Sequence, residues 1–178
     1  NMQSQKNYIK ASNASAGDQF SWSMDASENI LVVGGPYEDS NSISPDVSTD
    51  YNSGAAYVYV KTDSGWTQQA ILKASNAEGI TADQELGDYF GHSVATDGDL
   101  IAVGAPQESS NVTGITTTLV NANDDDDSAT HSGAVYIFAR NGETWTQEAY
   151  IKPDVVKNYQ KFGWSVALSG DTLVVGAP

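Results

Sequence analysis

Residues 90–106 read FGHSVATDGDLIAVGAP, and this stretch decides the fold because the chain contains it in three versions. The other two are FSWSMDASENILVVGGP at 20–36 and FGWSVALSGDTLVVGAP at 162–178. Successive copies begin 70 and 72 residues apart, and each runs from a Phe to a Pro sixteen positions later. A long, fixed period of this kind is the signature of a protein built from repeated structural units.

Each copy predicts a tight β-hairpin, because two apolar runs flank a short polar turn. In the second copy the turn is Asp97-Gly98-Asp99, and the run that follows it, 100–103, is wholly apolar. Such runs are typical of strands that are covered on both faces. The copies are therefore expected to supply the inner strands of larger sheets.

Two more strands are expected after each complete copy. The first of them alternates in character and reads SGAAYVYV at 53–60 and SGAVYIFA at 132–139. The second reads WTQQAILK at 66–73 and WTQEAYIK at 145–152. Four antiparallel strands per repeat, with no helical pattern between them, predict an all-β fold made of β-propeller blades. The alternative is an all-β sandwich that happens to contain repeats, and the constant spacing disfavours it.

The chain is expected to form one propeller domain of about 2.5 blades, which is an incomplete ring because propellers have roughly 4 to 8 blades. Residues 1–19 are assigned to the end of a preceding blade and a connecting loop. Blade 1 takes residues 20–89, blade 2 takes 90–161, and 162–178 form the first hairpin of blade 3. Either a longer sequence or other copies of the chain would complete the ring.

Composition disfavours several kinds of partner. The 178 residues include 8 Lys and Arg against 23 Asp and Glu, a formal charge of -15, which disfavours nucleic acid and anionic membrane surfaces. No apolar run approaches the ~18 residues of a membrane span, so membrane insertion is not expected. The sequence contains no cysteine and therefore has no disulfide and no thiolate metal site.

The two stricter copies carry a family resemblance. Their ends, Phe90-Gly91 to Gly104-Ala105-Pro106 and Phe162-Gly163 to Gly176-Ala177-Pro178, look like the FG and GAP signatures of FG-GAP repeats. These repeats build the propellers of integrin α-subunits and their bacterial relatives. The first copy is looser, with Phe20-Ser21, as expected where a glycine is not sterically required. The repeat motif comprises Phe20, Gly34, Pro36, Phe90, Gly91, Gly104, Pro106, Phe162, Gly163, Gly176 and Pro178.

The resemblance implies an extracellular or cell-surface propeller used for adhesion or assembly. It does not bring the calcium loop that integrin repeats often insert between FG and GAP, because this chain has only short turns there. Asp97, Asp99 and Asp171 are accordingly interpreted as turn-forming residues.

The long connections are all expected on one face of the propeller. In a four-stranded antiparallel blade, the one-to-two and three-to-four turns share a face, and the other links share the opposite one. The first class is short here, whereas the second includes 37–52, 75–89 and 107–131. Long loops on a rigid scaffold commonly carry binding sites. We call this side the loop face and expect function there.

The strongest candidate for a cation site is the run Asp124, Asp125, Asp126 and Asp127. Calcium takes 6 to 8 oxygen ligands, so four adjacent carboxylates are compatible with Ca2+, and the alternative is a solvated acidic loop. No other cofactor is indicated. Three residues near this run could add ligands to the same site: Asn121, Asn123 and Ser128. Weaker candidate ligands, just after the GAP motif, are Glu38, Asp39 and Glu108.

Two acidic residues and both histidines have structural interpretations. Asp18 and Asp88 lie two residues before a repeat Phe, where the third copy has Gln160, and this favours loop capping over metal binding. His92 takes the place that Trp22 and Trp164 hold in the other copies, which predicts packing rather than catalysis. His131 lacks a paired nucleophile or metal partner in the sequence.

Four tryptophans lie at repeat positions, and two asparagines lie in the sequence pattern for glycosylation. Packing is the preferred explanation for the tryptophans, and sugar stacking is the alternative. Asn13 and Asn111 match the pattern of glycosylation acceptors. The tryptophans are Trp22, Trp66, Trp145 and Trp164.

The leading functional hypothesis is a non-catalytic extracellular or cell-surface module that binds a protein or glycan, or other copies of itself, through long acidic loops on one face. One alternative is a subunit of a self-assembling extracellular fibre, joined by strand or blade complementation. Another is the propeller scaffold of a larger secreted enzyme whose catalytic groups lie elsewhere, since no nucleophile with an adjacent base is evident here.

Overall fold

The repeats fold into antiparallel sheets that match the predicted blades. The structure is a computed structural model that describes residues 7–39, 52–77, 87–117 and 127–178. Blade 1 is a four-stranded sheet in the order β1-β2-β3-β4. Its strands are β1 (Ser23–Ser27), β2 (Ile30–Gly35), β3 (Ala55–Thr62) and β4 (Gly65–Leu72). The all-β fold of open, antiparallel propeller blades is confirmed.

Blade 2 differs from the prediction by one strand. Its strands are β5 (Ser93–Asp97), β6 (Leu100–Ala105), β7 (Ile115–Thr116), β8 (Ala134–Asn141) and β9 (Thr144–Ile151). The sheet order is β5-β6-β8-β9-β7, so β7 returns from the long loop and pairs with the outer edge of β9. The loop 107–131 therefore does not serve the loop face alone, because part of it covers the edge of this sheet.

The last hairpin consists of β10 (Ser165–Ser169) and β11 (Thr172–Gly176). At the other end, Tyr8-Ile9-Lys10, which resembles the end of a fourth strand, is not a strand. This segment lies against blade 1, where the hydroxyl of Tyr59 donates to the carbonyl oxygen of Lys10 at 3.0 Å. No helix in the described ranges is long and apolar enough to cross a membrane.

Blades pack through their first strands. β5 lies between β1 and β10 and packs against both, whereas β4 and β9 touch only slightly, so the first strands lie toward the axis and the fourth strands form the rim. One core joins apolar side chains of blades 1 and 2, including Val58, Phe90 and Tyr136. Each blade thus buries its faces against its neighbours, as repeat architectures require.

The first glycine of the GAP motif is required because the backbone of the next blade leaves no room for a side chain. A Cβ atom built on Gly34 would lie 2.0 Å from the carbonyl oxygen of Gly91, and one on Gly104 would lie 2.1 Å from that of Gly163. The same carbonyls accept hydrogen bonds from Ser23 and Ser93, each at 2.8 Å. The FG and GAP signatures therefore meet across every described junction between blades.

The expectation that the first copy tolerates serine because glycine is not required there is wrong in one respect. Ser21 adopts φ 76, in the left-handed region, as Gly91 and Gly163 do with φ 91 and 86. A residue with a Cβ atom is strained in that region. The serine therefore carries a conformational cost that the two glycines avoid.

Ser21→Gly should therefore stabilise the chain by about 1 kcal/mol in chemical denaturation, since it relieves this strain. The reverse change, Gly91→Ser, is the matched control and should be strongly destabilising, because a Cβ atom there would lie 2.2 Å from the carbonyl oxygen of Ala55. No gain from Ser21→Gly would contradict the strain explanation, and a loss from Gly91→Ser of only about 1 kcal/mol would contradict the clash with Ala55.

Candidate functional site

A buried ion pair lies beneath the loop face in each complete blade. In blade 2, Nζ of Lys152 donates to Oε2 of Glu108 and, at 2.6 Å, to the hydroxyl of Ser132. Tyr150 donates to Oε1 of the same carboxylate at 2.6 Å. In blade 1, Lys73 pairs with Glu38 at 2.7 Å. The four charged side chains are almost fully buried.

These pairs correct the predicted role of Glu38 and Glu108 as calcium ligands. Each carboxylate already faces an ammonium group, and the desolvation cost of burying a charge is offset only by such a partner and further hydrogen bonds. The cluster is structural: the lysine directly follows the fourth strand, the serine lies two residues before the third, and the glutamate follows the second. It therefore ties three strands of a blade together.

An asparagine from the preceding blade completes each cluster. Nδ2 of Asn13 donates to Oε1 of Glu38 at 3.0 Å, and Nδ2 of Asn76 donates to Oε1 of Glu108 at 3.4 Å. The hydroxyl of Tyr136 donates to Oδ1 of Asn76 at 2.8 Å. Sequence reasoning missed this link, although the recurring KASN at 10–13 and 73–76 could have indicated it.

Asn13 is therefore a poor glycosylation acceptor, contrary to the sequence pattern. Its Nδ2 atom, to which a glycan would be attached, already donates to the buried Glu38. Asn111 is exposed, and its Nδ2 donates to the hydroxyl of Ser128 at 2.7 Å. Glycosylation of Asn111 stays a prediction.

The calcium prediction rests mainly on residues that the structure does not describe. Asp124, Asp125 and Asp126 lie outside the described residues, and Asp127 is the first residue after that gap. Among the described residues, no group of three or more His, Cys, Asp or Glu side chains is arranged to hold a metal ion. Asp39 accepts the backbone N–H of Asn52 at 3.1 Å.

Asp18 has the loop-capping role expected of it. Its carboxylate accepts the backbone N–H of Ser15 at 2.6 Å, and the side chain is buried. Burial raises the pKa of Asp18, and the nearby charges of Glu38 and Asp39 raise it further. Asp88, at the matching position in blade 2, is also buried.

A repeated backbone framework supports the loop face. The N–H of Tyr89 donates to the carbonyl oxygen of Asn52 at 3.2 Å, and the N–H of Lys161 donates to that of His131 at 3.0 Å. All four residues have left-handed backbones, with φ between 49 and 62, as does Gln19 at φ 50 in the first copy. Non-glycine residues in this conformation are strained, and such strain clusters at functional sites.

The side chains on this framework vary from copy to copy. The residue before the repeat Phe is Gln19, Tyr89 or Lys161, and the residue before the third strand's Ser-Gly is Asn52 or His131. By contrast, the buried clusters below repeat the same Glu, Ser and Lys. The scaffold is thus constant, while the chemistry displayed on the loop face differs between blades.

An aromatic row crosses the loop face next to the axis. It consists of Trp22, His92 and Trp164, one from each copy, with ring centroids 5.7 Å apart in the first pair and 4.5 Å apart in the second. Trp22 is 50% exposed and Trp164 is 42% exposed. Packing against His92 therefore accounts for only part of the surface of each tryptophan, and the rest is exposed.

The other two tryptophans pack against the core. Trp66 and Trp145 are partly buried and pack against the hydrophobic clusters of blades 1 and 2. Trp145 also donates its indole N–H to Oε1 of Gln69 in the neighbouring blade at 3.0 Å. The packing interpretation is thus confirmed for Trp66 and Trp145.

Both histidines lie near a single lysine. Burial is the main cause that lowers the pKa of His92 and of His131, and the charge of Lys161 lowers both further. The ammonium of Lys161 lies 5.1 Å from the ring centroid of Trp164, and His131 packs edge-on against Tyr159 at 5.5 Å. We call these five residues the basic-aromatic corner.

The comparisons with known proteins identify a repeat family. A family model described as FG-GAP repeat matches residues 4–59, 66–116 and 145–178, which is most of the chain. The comparison with curated protein sequences found no match to this chain.

Proposed function

Because the chain belongs to the FG-GAP repeat family, we propose that it is a non-catalytic extracellular interaction module that binds its partner through the loop face. FG-GAP repeats are generally extracellular interaction modules. The observation that supports this face is the constant, strained framework, which displays different side chains in each blade, all of them at least partly exposed except Tyr89. Binding residues are commonly placed on loops that a rigid scaffold positions.

The acidic segments belong to the same proposal. Residues 40–51, 78–86 and 118–126 are long-loop positions outside the described residues, and several carry carboxylates. A formal charge of -15 favours partners with a cationic or neutral surface at long range. Self-assembly into a fibre and a role as an enzyme scaffold stay predictions.

Site-specific shielding tests which face binds, since the chain contains no cysteine. Asn158→Cys places a single thiol on a loop-face linker, and Ser64→Cys places one in the β3–β4 turn on the opposite face; both positions are exposed. Each variant is coupled to a maleimide–polyethylene glycol chain and applied to a printed panel of glycans and matrix proteins.

Shielding at position 158 should abolish binding, and shielding at 64 should leave it intact. Loss of binding from the turn-face conjugate alone, or no binding of the unmodified chain to any panel member at micromolar concentration, would contradict the proposal. Turnover of a panel member would overturn its non-catalytic part.

A further inference from the structure

We propose that the basic-aromatic corner, with the aromatic row beside it, binds a carboxylated sugar unit of a glycan. This inference rests on the loop face being the binding face and adds the chemical class of ligand. Its residues are His92, His131, Tyr159, Lys161 and Trp164, and they come from the junction between blades 2 and 3.

The corner places one cation, Lys161, beside two imidazoles whose pKa is lowered, so Lys161 carries the corner's positive charge. It holds both histidines of the chain and one of its 8 Lys and Arg residues. The charge that acts on each imidazole is that of Lys161. Charges farther away than the Debye length, about 10 Å at 0.1 M salt, are largely screened. A bound anion therefore interacts mainly with charges within that length, and Lys161 is such a charge for both imidazoles.

The rings beside the lysine suit a sugar. Trp164 is exposed over part of its surface, and Tyr159 is 63% exposed. An indole face stacks on the C–H face of a pyranose ring, and a carboxylate on that ring could then reach the ammonium of Lys161. A charged donor makes such a hydrogen bond stronger than one between neutral groups.

The shape of the surface favours a glycan over a peptide. Peptide and protein partners usually anchor large side chains in well-packed, fully desolvated pockets. Here the rings of the aromatic row are tilted by 50° and 45° to one another and stay partly exposed, one per blade. A row of half-exposed rings fits successive units of an oligosaccharide.

The test uses titration calorimetry with oligogalacturonate and its carboxyl-reduced, neutral counterpart. Lys161→Gln introduces the residue that the first copy already has at this position, Gln19, with the same left-handed backbone, so the fold should be retained. It should weaken binding of the acidic oligosaccharide about tenfold, as expected for one lost charge-assisted hydrogen bond. Binding of the neutral form should be weaker and should not respond to this change.

Two further variants separate charge from stacking. Trp164→Ala should weaken both oligosaccharides, because it removes the stacking surface. Lys157→Gln removes an exposed lysine from the same linker and should change neither.

Three results would overturn the inference: equal binding of the acidic and neutral forms, no effect of Lys161→Gln, or binding of a poly-glutamate peptide while the millimolar oligosaccharide stays inert. Loss of panel binding on shielding position 158 would still support the proposed function in each of these cases.

Discussion

Gly104→Ala is expected to lower the free energy of unfolding by about 3 kcal/mol, the upper end of what overpacking usually costs. For a chain of this size that corresponds to a fall in Tm of roughly 6–12 °C. The added Cβ atom would lie 2.1 Å from the carbonyl oxygen of Gly163 and 2.3 Å from Oγ of Ser93. Backbone cannot move aside as a flexible side chain can, so blade 3 would have to shift away from blade 2.

Gly142→Ala is the matched control. Gly142 has open space around its Cα, but its φ is +66, so alanine there should cost only the backbone strain of about 1 kcal/mol. Adding Ser93→Ala to Gly104→Ala removes one of the two close contacts and should not rescue stability, because the carbonyl contact remains. If Gly104→Ala costs no more than Gly142→Ala in urea denaturation, the close approach of the blades is not what requires this glycine.

Glu108→Gln is expected to cost about 3–5 kcal/mol, because it leaves the ammonium of Lys152 buried without its countercharge. Both side chains are within 1% of full burial. Lys152→Met should cost a similar amount, since it strands the carboxylate. The double variant Glu108→Gln/Lys152→Met should recover most of the loss, because no uncompensated charge is left.

An exposed ion pair supplies the control. Arg140 and Asp99 approach to 3.5 Å, and the side chain of Asp99 is 73% exposed, so Asp99→Asn should change stability by less than about 1 kcal/mol. All four variants can be compared by urea denaturation under one set of conditions. Additive losses in the double variant would show that Glu108 and Lys152 do not act as a pair.

The two experiments probe different levels of the architecture. Gly104 lies at the junction between blades, whereas Glu108 and Lys152 connect strands within a blade and receive Asn76 from the blade before. If binding depends on the loop face as proposed, variants of the buried pair should weaken it only through the loss of folded protein. Binding measured well below the unfolding temperature would then be unchanged.

The strands and their order within a blade could be predicted from the sequence. The hairpin of residues 90–106 is fixed locally, because its apolar runs and its polar turn are adjacent in the chain. The four-strand pattern followed from the same kind of local signal, together with a period that recurs. The strand that the sequence did not predict is β7, which consists of two residues and whose pairing with β9 leaves no pattern in the sequence.

The candidate site depended on contacts that no local pattern encodes. His92 and Trp164 meet 4.5 Å apart although 72 residues separate them, and Glu38 meets Lys73 across 35 residues. The sequence predicts Glu38 as a weaker candidate calcium ligand, because it does not show which lysine the blade brings beside this carboxylate. Likewise, the sequence pattern predicts Asn13 as a glycosylation site, because the pattern does not show that its side chain bonds to Glu38 of the next blade.

The sequence by itself thus determined the repeat, through its constant period, and the four main strands of each blade, since these follow from short-range spacing and polarity. Tertiary structure alone decided which carboxylates are buried and paired, why the GAP glycine has no side chain, and which rings form the row of Trp22, His92 and Trp164. The physical reason is that blades touch through residues about one repeat apart. Those distances are set by how the sheets stack, not by the order of residues along a strand.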